Sequence, residues 1–319
     1  MSFSGTVKTE LARQVSDKNH CLKAEAAALV SSLGKIKKTE DGNRYLSIQS
    51  ENEAVIRKCF TIIEKKFNIE TAIQSRNPSE QGVKNIYVLE YKNEADIKYL
   101  LENLGFDNLE NNENVLHVGC RDIIKKTCCK RAFLRGVFLA SGSMSDPAKS
   151  YHFEIVCREE KKAQLIQKLM NDFEIEAKIV MRKKSYVVYV KEGSQIVDML
   201  AIMGANVSLM EFENIRIVKE MRNTVNRKVN CETANINKTV NAAVKQREDI
   251  LLIQQRIGFQ NLAKGLSEMA ELRLQYPEAT LKELGMMLEP QVGKSGVNHR
   301  LRKLSEIAED LRKSKEELI

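Results

Sequence analysis

Two stretches of this chain are copies of one another, and a duplication limits the fold more than any single motif does. FNIETAI at Phe67–Ile73 returns as FEIEAKI at Phe173–Ile179, and IYVLEYKNEADIKYLLENLG at Ile86–Gly105 returns as SYVVYVKEGSQIVDMLAIMG at Ser185–Gly204. Equivalent positions lie 108 residues apart at Gly34 and Gly142, 106 at Phe67 and Phe173, and 99 at Gly105 and Gly204. That drift is loop-sized, as two diverged copies of one unit produce.

The order of elements repeats too. Apolar periodicity predicts a helix over Leu22–Leu33 ending at Gly34, an alternating strand over Tyr45–Gln49, and a helix over Glu53–Phe67. Strands follow over Glu70–Ile73 and Ile86–Tyr91, then a helix over Glu94–Leu104. The second pass predicts a helix over Cys129–Ala140 ending at Gly142, a strand over Tyr151–Val156, and a helix over Lys161–Phe173. It closes with strands over Glu176–Met181 and Tyr186–Val190 and a helix over Ser194–Met203. Each opening helix is rich in small residues: Ala24, Ala26, Ala27, Ala28, Ser31 and Ser32 in one, Ala132, Gly136, Ala140 and Ser141 in the other. The two copies are therefore expected to meet through these helices, in a pseudo-twofold saddle with a sheet on each side.

After about Lys219 the strand patterns stop. Arg222–Val240 is basic and Asn-rich, and two readings of it stand: a capped surface linker, or hydrogen-bonding contact to phosphates and bases. A helix is predicted over Asn241–Ile257, stopped by Gly258, and another over Leu262–Gln275, ended by Tyr276-Pro277. Thr280, with Glu283 three residues on, has the form of a capping box. Glu289–Gly293 makes a turn, and Ser295 is expected to cap a last helix with Val297, Leu301, Leu304, Ile307, Ala308 and Leu311 as its core stripe.

That pattern is a helix-turn-helix. Burial of Val297, Leu301 and Leu304 turns Asn298, His299 and Arg302 outward, where a recognition helix meets base edges. Asn and Arg match adenine and guanine edges in bidentate geometry. Lys294, Arg300 and Lys303 flank them at phosphate-reaching positions, and Ser295, Arg222, Arg227 and Lys228 complete the candidate DNA-binding set.

Charge points the same way. The net charge is +8, and the segments 222–247 and 294–303 carry cations opposed only by Glu232. Aromatic residues are 6% and Trp is absent, which leaves little for stacking on single strands. No apolar run reaches the roughly 20 residues of a membrane span, and the first residues lack the apolar stretch of a signal peptide. A cytoplasmic, nucleoid-associated protein is expected, with no membrane partner.

Seven Cys without Cys-x-x-Cys spacing suggest free thiols in a reducing compartment, with Cys128 and Cys129 read as core packing. His20, His117, His152 and His299 lie far apart, in no metal-ligand spacing. Neither zinc nor any other cofactor is expected.

FLRGVFLASGSM at Phe133–Met144 resembles the signature helix of the LAGLIDADG homing endonucleases, and AAALVSSLG at Ala26–Gly34 is a weaker copy. Together with CCKRAFLRGVFLASGSMSDP, NRKVNCETANINKTV and YPEATLKELGMMLEPQVGKSGVNHRLRKL, the chain resembles the WhiA family of bacterial sporulation and cell-division regulators. The resemblance implies an α+β fold: a duplicated αββαββα saddle, with copies at 1–110 and 121–215, then an all-α helix-turn-helix domain at 222–312. It implies sequence-specific binding of double-stranded DNA and regulation of transcription, with another transcription factor or a sigma factor as a candidate partner.

The homing endonucleases hold divalent metals on one acidic residue at the foot of each signature helix. Here those places are Leu33 and Ser141, neither of which supplies an anionic oxygen. Glu40, Asp41 and Asp146 lie beyond the helices on expected loops. No enzymatic activity is therefore expected; the rival classes are a residual metal-dependent endonuclease and an RNA- or protein-binding scaffold. The cations Arg121, Lys125, Lys126, Lys130, Arg131 and Arg135, and Arg182, Lys183 and Lys184, suit DNA contact by the saddle, protein docking or a solvated face alike.

Overall fold

The computed structural model describes residues 2–40, 42–76, 85–106 and 122–316. Asp41, His117 and Arg121, named above, lie outside the described residues. The chain forms two compact units, Met1–Glu220 and Met221–Ile319.

The first unit holds the duplication. After α1 (Phe3–Arg13), the first copy runs α2 (Asn19–Leu33), β1 (Gly34–Lys38), β2 (Arg44–Ser50), α3 (Glu53–Phe67), β3 (Ile73–Arg76), β4 (Ile86–Tyr91) and α4 (Glu94–Asn103). The second runs α5 (Thr127–Ser141), β5 (Gly142–Met144), β6 (Phe153–Cys157), α6 (Glu160–Asn171), β7 (Lys178–Arg182), β8 (Ser185–Val190) and α7 (Gly193–Met203). Both sheets are antiparallel and have the same strand order, β1-β2-β4-β3 and β5-β6-β8-β7. The α+β class and the repeated order of elements agree with the sequence.

The small-residue helices α2 and α5 do pack against each other at the centre. Ala24, Ala26, Ala27 and Ala28 are buried, as are Ala132 and Gly136. A Cβ on Gly136 would stand 2.8 Å from both the Ala28 Cβ and the Glu25 carbonyl, so no larger residue fits that crossing. Each helix passes directly into a strand at its glycine. A Cβ on Gly142 would stand 2.8 Å from the Phe138 Cα, which keeps that junction a glycine although its φ of −82° is ordinary.

Three elements are not among those expected from the sequence. Strands β1 and β5 are short, and β1 (GKIKK) offers one apolar residue. Helix α1 had a legible signal: Phe3, Val7 and Leu11 repeat every four residues, and Ser2 caps the helix by accepting from the Gly5 N–H at 3.1 Å.

Helix α8 (Asn206–Arg256) covers the Asn-rich stretch, which therefore connects the two units as continuous helix, not as a capped loop before a helix starting at Asn241. Its Asn residues cost only a few tenths of a kcal/mol each in a helix, and neither Gly nor Pro interrupts residues 206–256. Phe212 joins the core of the first unit, while Ile250 and Ile253 join that of the second.

The second unit continues with α9 (Lys264–Gln275), α10 (Leu281–Met286) and α11 (Lys294–Glu316). Thr280 and Glu283 form the expected reciprocal capping box. Gly285 lets the turn close, since its carbonyl accepts from Val292 N–H at 2.9 Å and a Cβ there would stand 2.1 Å from the Val292 oxygen. Val297, Leu301, Leu304 and Ala308 are buried against Met269, Ala270, Leu284 and Leu288. The core stripe of α11 is as its periodicity predicts, with Ile307 and Leu311 at its half-buried edge.

Candidate nucleic-acid interface

The outer side of α11 is the first candidate surface. The helix begins at Lys294, and the Val297 N–H donates to the Gly293 carbonyl at 3.1 Å. Ser295 therefore stands inside the first turn instead of capping it. At about 100° per residue, Ser295, His299 and Arg302 lie opposite the core stripe, with Asn298 on one flank and Lys303 on the other. All five are exposed, as is Lys294. Arg302 is 80% exposed and reaches Glu306 at 3.5 Å, a surface pair worth well under about 1 kcal/mol and readily exchanged for another anion.

Arg300 is different. It sits at the edge of the core stripe, half-buried, and its Nη1 donates to the Gly265 carbonyl at 3.3 Å. A cation at that angle clamps α11 to the start of α9 and is not free to range over a phosphate backbone.

The second surface is on α8. Asn223, Asn226, Asn230, Asn237 and Asn241 are spaced three, four, seven and four residues apart, which puts them on one face of a helix. Measured from the centre of that face, Arg227, Lys238 and Lys245 border it at about 60–80° on one side and Arg222 at about 80° on the other, whereas Lys228 projects from the opposite side. All of these residues are exposed.

At the feet of α2 and α5, Leu33 and Ser141 are half-buried, and the Ser141 hydroxyl donates back to the Val137 carbonyl at 3.4 Å. A Leu methyl and an engaged hydroxyl do not fit a divalent metal of the homing-endonuclease type. A cleft of about 310 Å³ at Ser141 is lined by Ser31, Ser32, Arg158, Glu159 and Lys162. The Lys162 ammonium donates to Ser32 Oγ at 2.8 Å and Ser31 Oγ at 3.1 Å, and burial pushes it down to about 8. The matching cleft at Leu33 is lined instead by α1 through Ser4, Gly5 and Lys8.

The basic group before the second signature helix is not on the saddle. Lys125, Lys126, Lys130 and Arg131 stand at the N-terminal end of α5, about 20 Å along the helix from Ser141. Lys130 is paired with Asp172, at 2.5 Å. Arg135 points inward: its Nε and Nη2 donate to the two carboxylate oxygens of the buried Glu25, and its Nη1 to the Met203 carbonyl. Lys183 and Lys184 are exposed at the β7–β8 turn, and Arg182 lies 3.8 Å from Glu154. Glu90 on β4 and Glu154 on β6 put carboxylates on central strands of both sheets, on the side turned from the helices.

The same helix ends hold an arrangement that spacing along the chain conceals. His20 Nδ1 lies 3.2 Å from Cys129 Sγ, 3.3 Å from Cys21 Sγ and 3.9 Å from Cys128 Sγ. The absence of ligand spacing gave no reason to expect it, because the four donors come from two helices. The internal repeat is the signal that finds it: His20 and Cys128 are equivalent, as are Cys21 and Cys129, at the 108-residue offset of Gly34 and Gly142.

A duplicated LAGLIDADG-like unit with Leu33 and Ser141 at its helix feet, joined in one chain to a helix-turn-helix unit, defines a class of two-part proteins. Residues 19–107 match the WhiA N-terminal LAGLIDADG-like domain, 130–222 the WhiA LAGLIDADG-like domain and 225–308 the WhiA C-terminal HTH domain. The chain belongs to the WhiA family. It is 52% identical over 314 residues to the Probable cell division protein WhiA of Lachnoclostridium phytofermentans, covering 98% of this chain and 100% of that one. It is 46% identical over 319 residues to the protein of the same name from Desulforamulus reducens, covering 99% and 98%. Its fold is similar to the crystal structure of full-length DUF199/WhiA from Thermatoga maritima, with a TM-score of 0.57 at 24% identity, covering 97% of this chain and 99% of that one. No helix among the described residues is long and apolar enough to cross a membrane.

Proposed function

We propose that the protein is a sequence-specific double-stranded DNA-binding regulator of transcription, acting on cell-division and sporulation genes from the cytoplasm, without nuclease activity. One observation carries this reading. Ser295, Asn298, His299, Arg302 and Lys303 are exposed around the outer side of α11 while Val297, Leu301 and Leu304 are buried beneath them. That is the arrangement by which a recognition helix offers Asn and Arg to the major groove. The names of its relatives support the link to cell division.

The Asn face of α8 supports a second contact, in which Arg227 and Lys238 reach phosphates beside the site read by α11. The reader is assigned to 222–312, and the duplicated copies at 1–110 and 121–215 serve as a scaffold or docking domain. Competition of duplex DNA against RNA of the same sequence, followed by fluorescence anisotropy, tests the nucleic-acid class; preference for RNA contradicts the proposal. Supercoiled plasmid incubated with the protein and Mg²⁺ or Mn²⁺ tests the absence of cleavage, and nicking contradicts it.

A further inference from the structure

We propose that His20, Cys21, Cys128 and Cys129 form a structural zinc site that fastens the N-terminal ends of the two signature helices together. The four donor atoms lie within 4.8 Å of one another, and the His20 Nδ1 distances to the three sulfurs run from 3.2 to 3.9 Å. A tetrahedron with Zn–N bonds of about 2.0–2.1 Å and Zn–S bonds of about 2.3 Å has edges of roughly 3.5–3.8 Å. Donors up to 4.8 Å apart must close by no more than about 1 Å, shared between two side chains, to meet on one ion.

The donor set identifies the metal. Three thiols and one imidazole are soft and borderline ligands that select Zn²⁺ over the oxygen-seeking Mg²⁺ and Ca²⁺. Four protein ligands leave no position for water or substrate, so the ion is structural and performs no chemistry. Binding releases the thiol protons and leaves a net charge of about −1 on the cluster. His20 and Cys21 are the second and third residues of α2, and Cys128 and Cys129 the second and third of α5. The positive ends of both helices therefore face the cluster and complement the net negative charge of the metal-bound set.

The placement explains why two donors come from each helix. The helices are related by the pseudo-twofold axis of the duplication, and the site lies where their N-termini converge. At the middle of the pair the contact is held by Gly136, Ala28 and the Glu25–Arg135 ion pair. The metal holds the end that the small residues do not reach.

The test is the metal content of the full-length protein, produced in zinc-supplemented medium and purified with a non-chelating reductant. Elemental analysis is expected to find about one zinc per chain, lost in Cys21→Ser and Cys128→Ser and kept in Cys157→Ser, whose thiol is buried elsewhere. His20→Cys completes a four-thiolate set and is expected to keep the ion. Because a serine variant can fail to fold, the wild-type protein reloaded with Co²⁺ supplies an independent readout: sulfur-to-cobalt charge-transfer bands with intense tetrahedral d–d absorption. Wild-type protein without stoichiometric zinc, a cobalt form without thiolate bands, or a folded Cys128→Ser that keeps its zinc overturns the proposal.

Discussion

Arg135 donates from Nε and Nη2 to both carboxylate oxygens of Glu25, at 2.9 and 2.7 Å, across the junction of the two halves of the duplication. Glu25 is fully buried and also pairs with Lys58, whose ammonium donates to the Leu11 carbonyl at 2.7 Å. Removing the carboxylate leaves two cations facing each other in the core, and uncompensated buried charge typically costs about 3–5 kcal/mol. Glu25→Gln is therefore expected to lower unfolding stability by about that much in denaturant titration. Arg135→Ala is expected to cost less, because Lys58 still neutralises Glu25. Neither change should alter the salt dependence of DNA binding. A flattened salt slope in Arg135→Ala would return this residue to the DNA-contacting set.

Lys162 and Lys8 give the first unit a signature in alkaline solution. Burial lowers both to about 8 from the ordinary 10.5. Between those values the unfolded chain binds more protons than the folded one, so their contribution makes stability rise with pH. Below about 8 both states carry the charge, and its burial is a standing cost to the fold. Unfolding curves from pH 7 to 10.5 should show a shallower rise in Lys162→Met than in the wild type. Identical profiles would mean that the Lys162 ammonium is fully solvated.

Arg300 and Lys303 separate clamp from phosphate contact. Lys303→Ala should weaken all duplexes alike and reduce the salt slope by about one counterion, with unfolding stability unchanged. Arg300→Ala should instead lower the stability of the helix-turn-helix unit by about 1–3 kcal/mol, through loss of its hydrogen bond to the Gly265 carbonyl. Equal salt slopes and equal stabilities in the two variants would contradict the distinction.

Much of this was legible in the chain. The duplication, the α2–α5 crossing and the core stripe of α11 follow from periods and small residues that local physics enforces. Ser295, Arg300 and Arg135 were not legible in the same way. Each is a polar residue in a helix whose partner, or whose place one turn from a cap, is fixed by packing and not by spacing. The continuity of α8 was hidden by its Asn residues, which are weak helix formers yet too weakly unfavourable to end a helix. The His20–Cys129 cluster was concealed because ligand spacing was sought along one stretch, while the donors stand 109 residues apart.

The most direct test of the central claim measures sequence discrimination by Asn298→Ala and Arg302→Ala. Both side chains are exposed, so both variants should unfold at the wild-type temperature. Sites come from genome-wide crosslinking of the wild-type protein, and affinities for those duplexes and for scrambled ones are compared at fixed salt. Each variant should lose about 1–3 kcal/mol on the preferred sites and much less on scrambled DNA. Full discrimination in both variants, with discrimination abolished by Asn226→Ala and Asn230→Ala, would place the reading surface on α8 and contradict the assignment to α11.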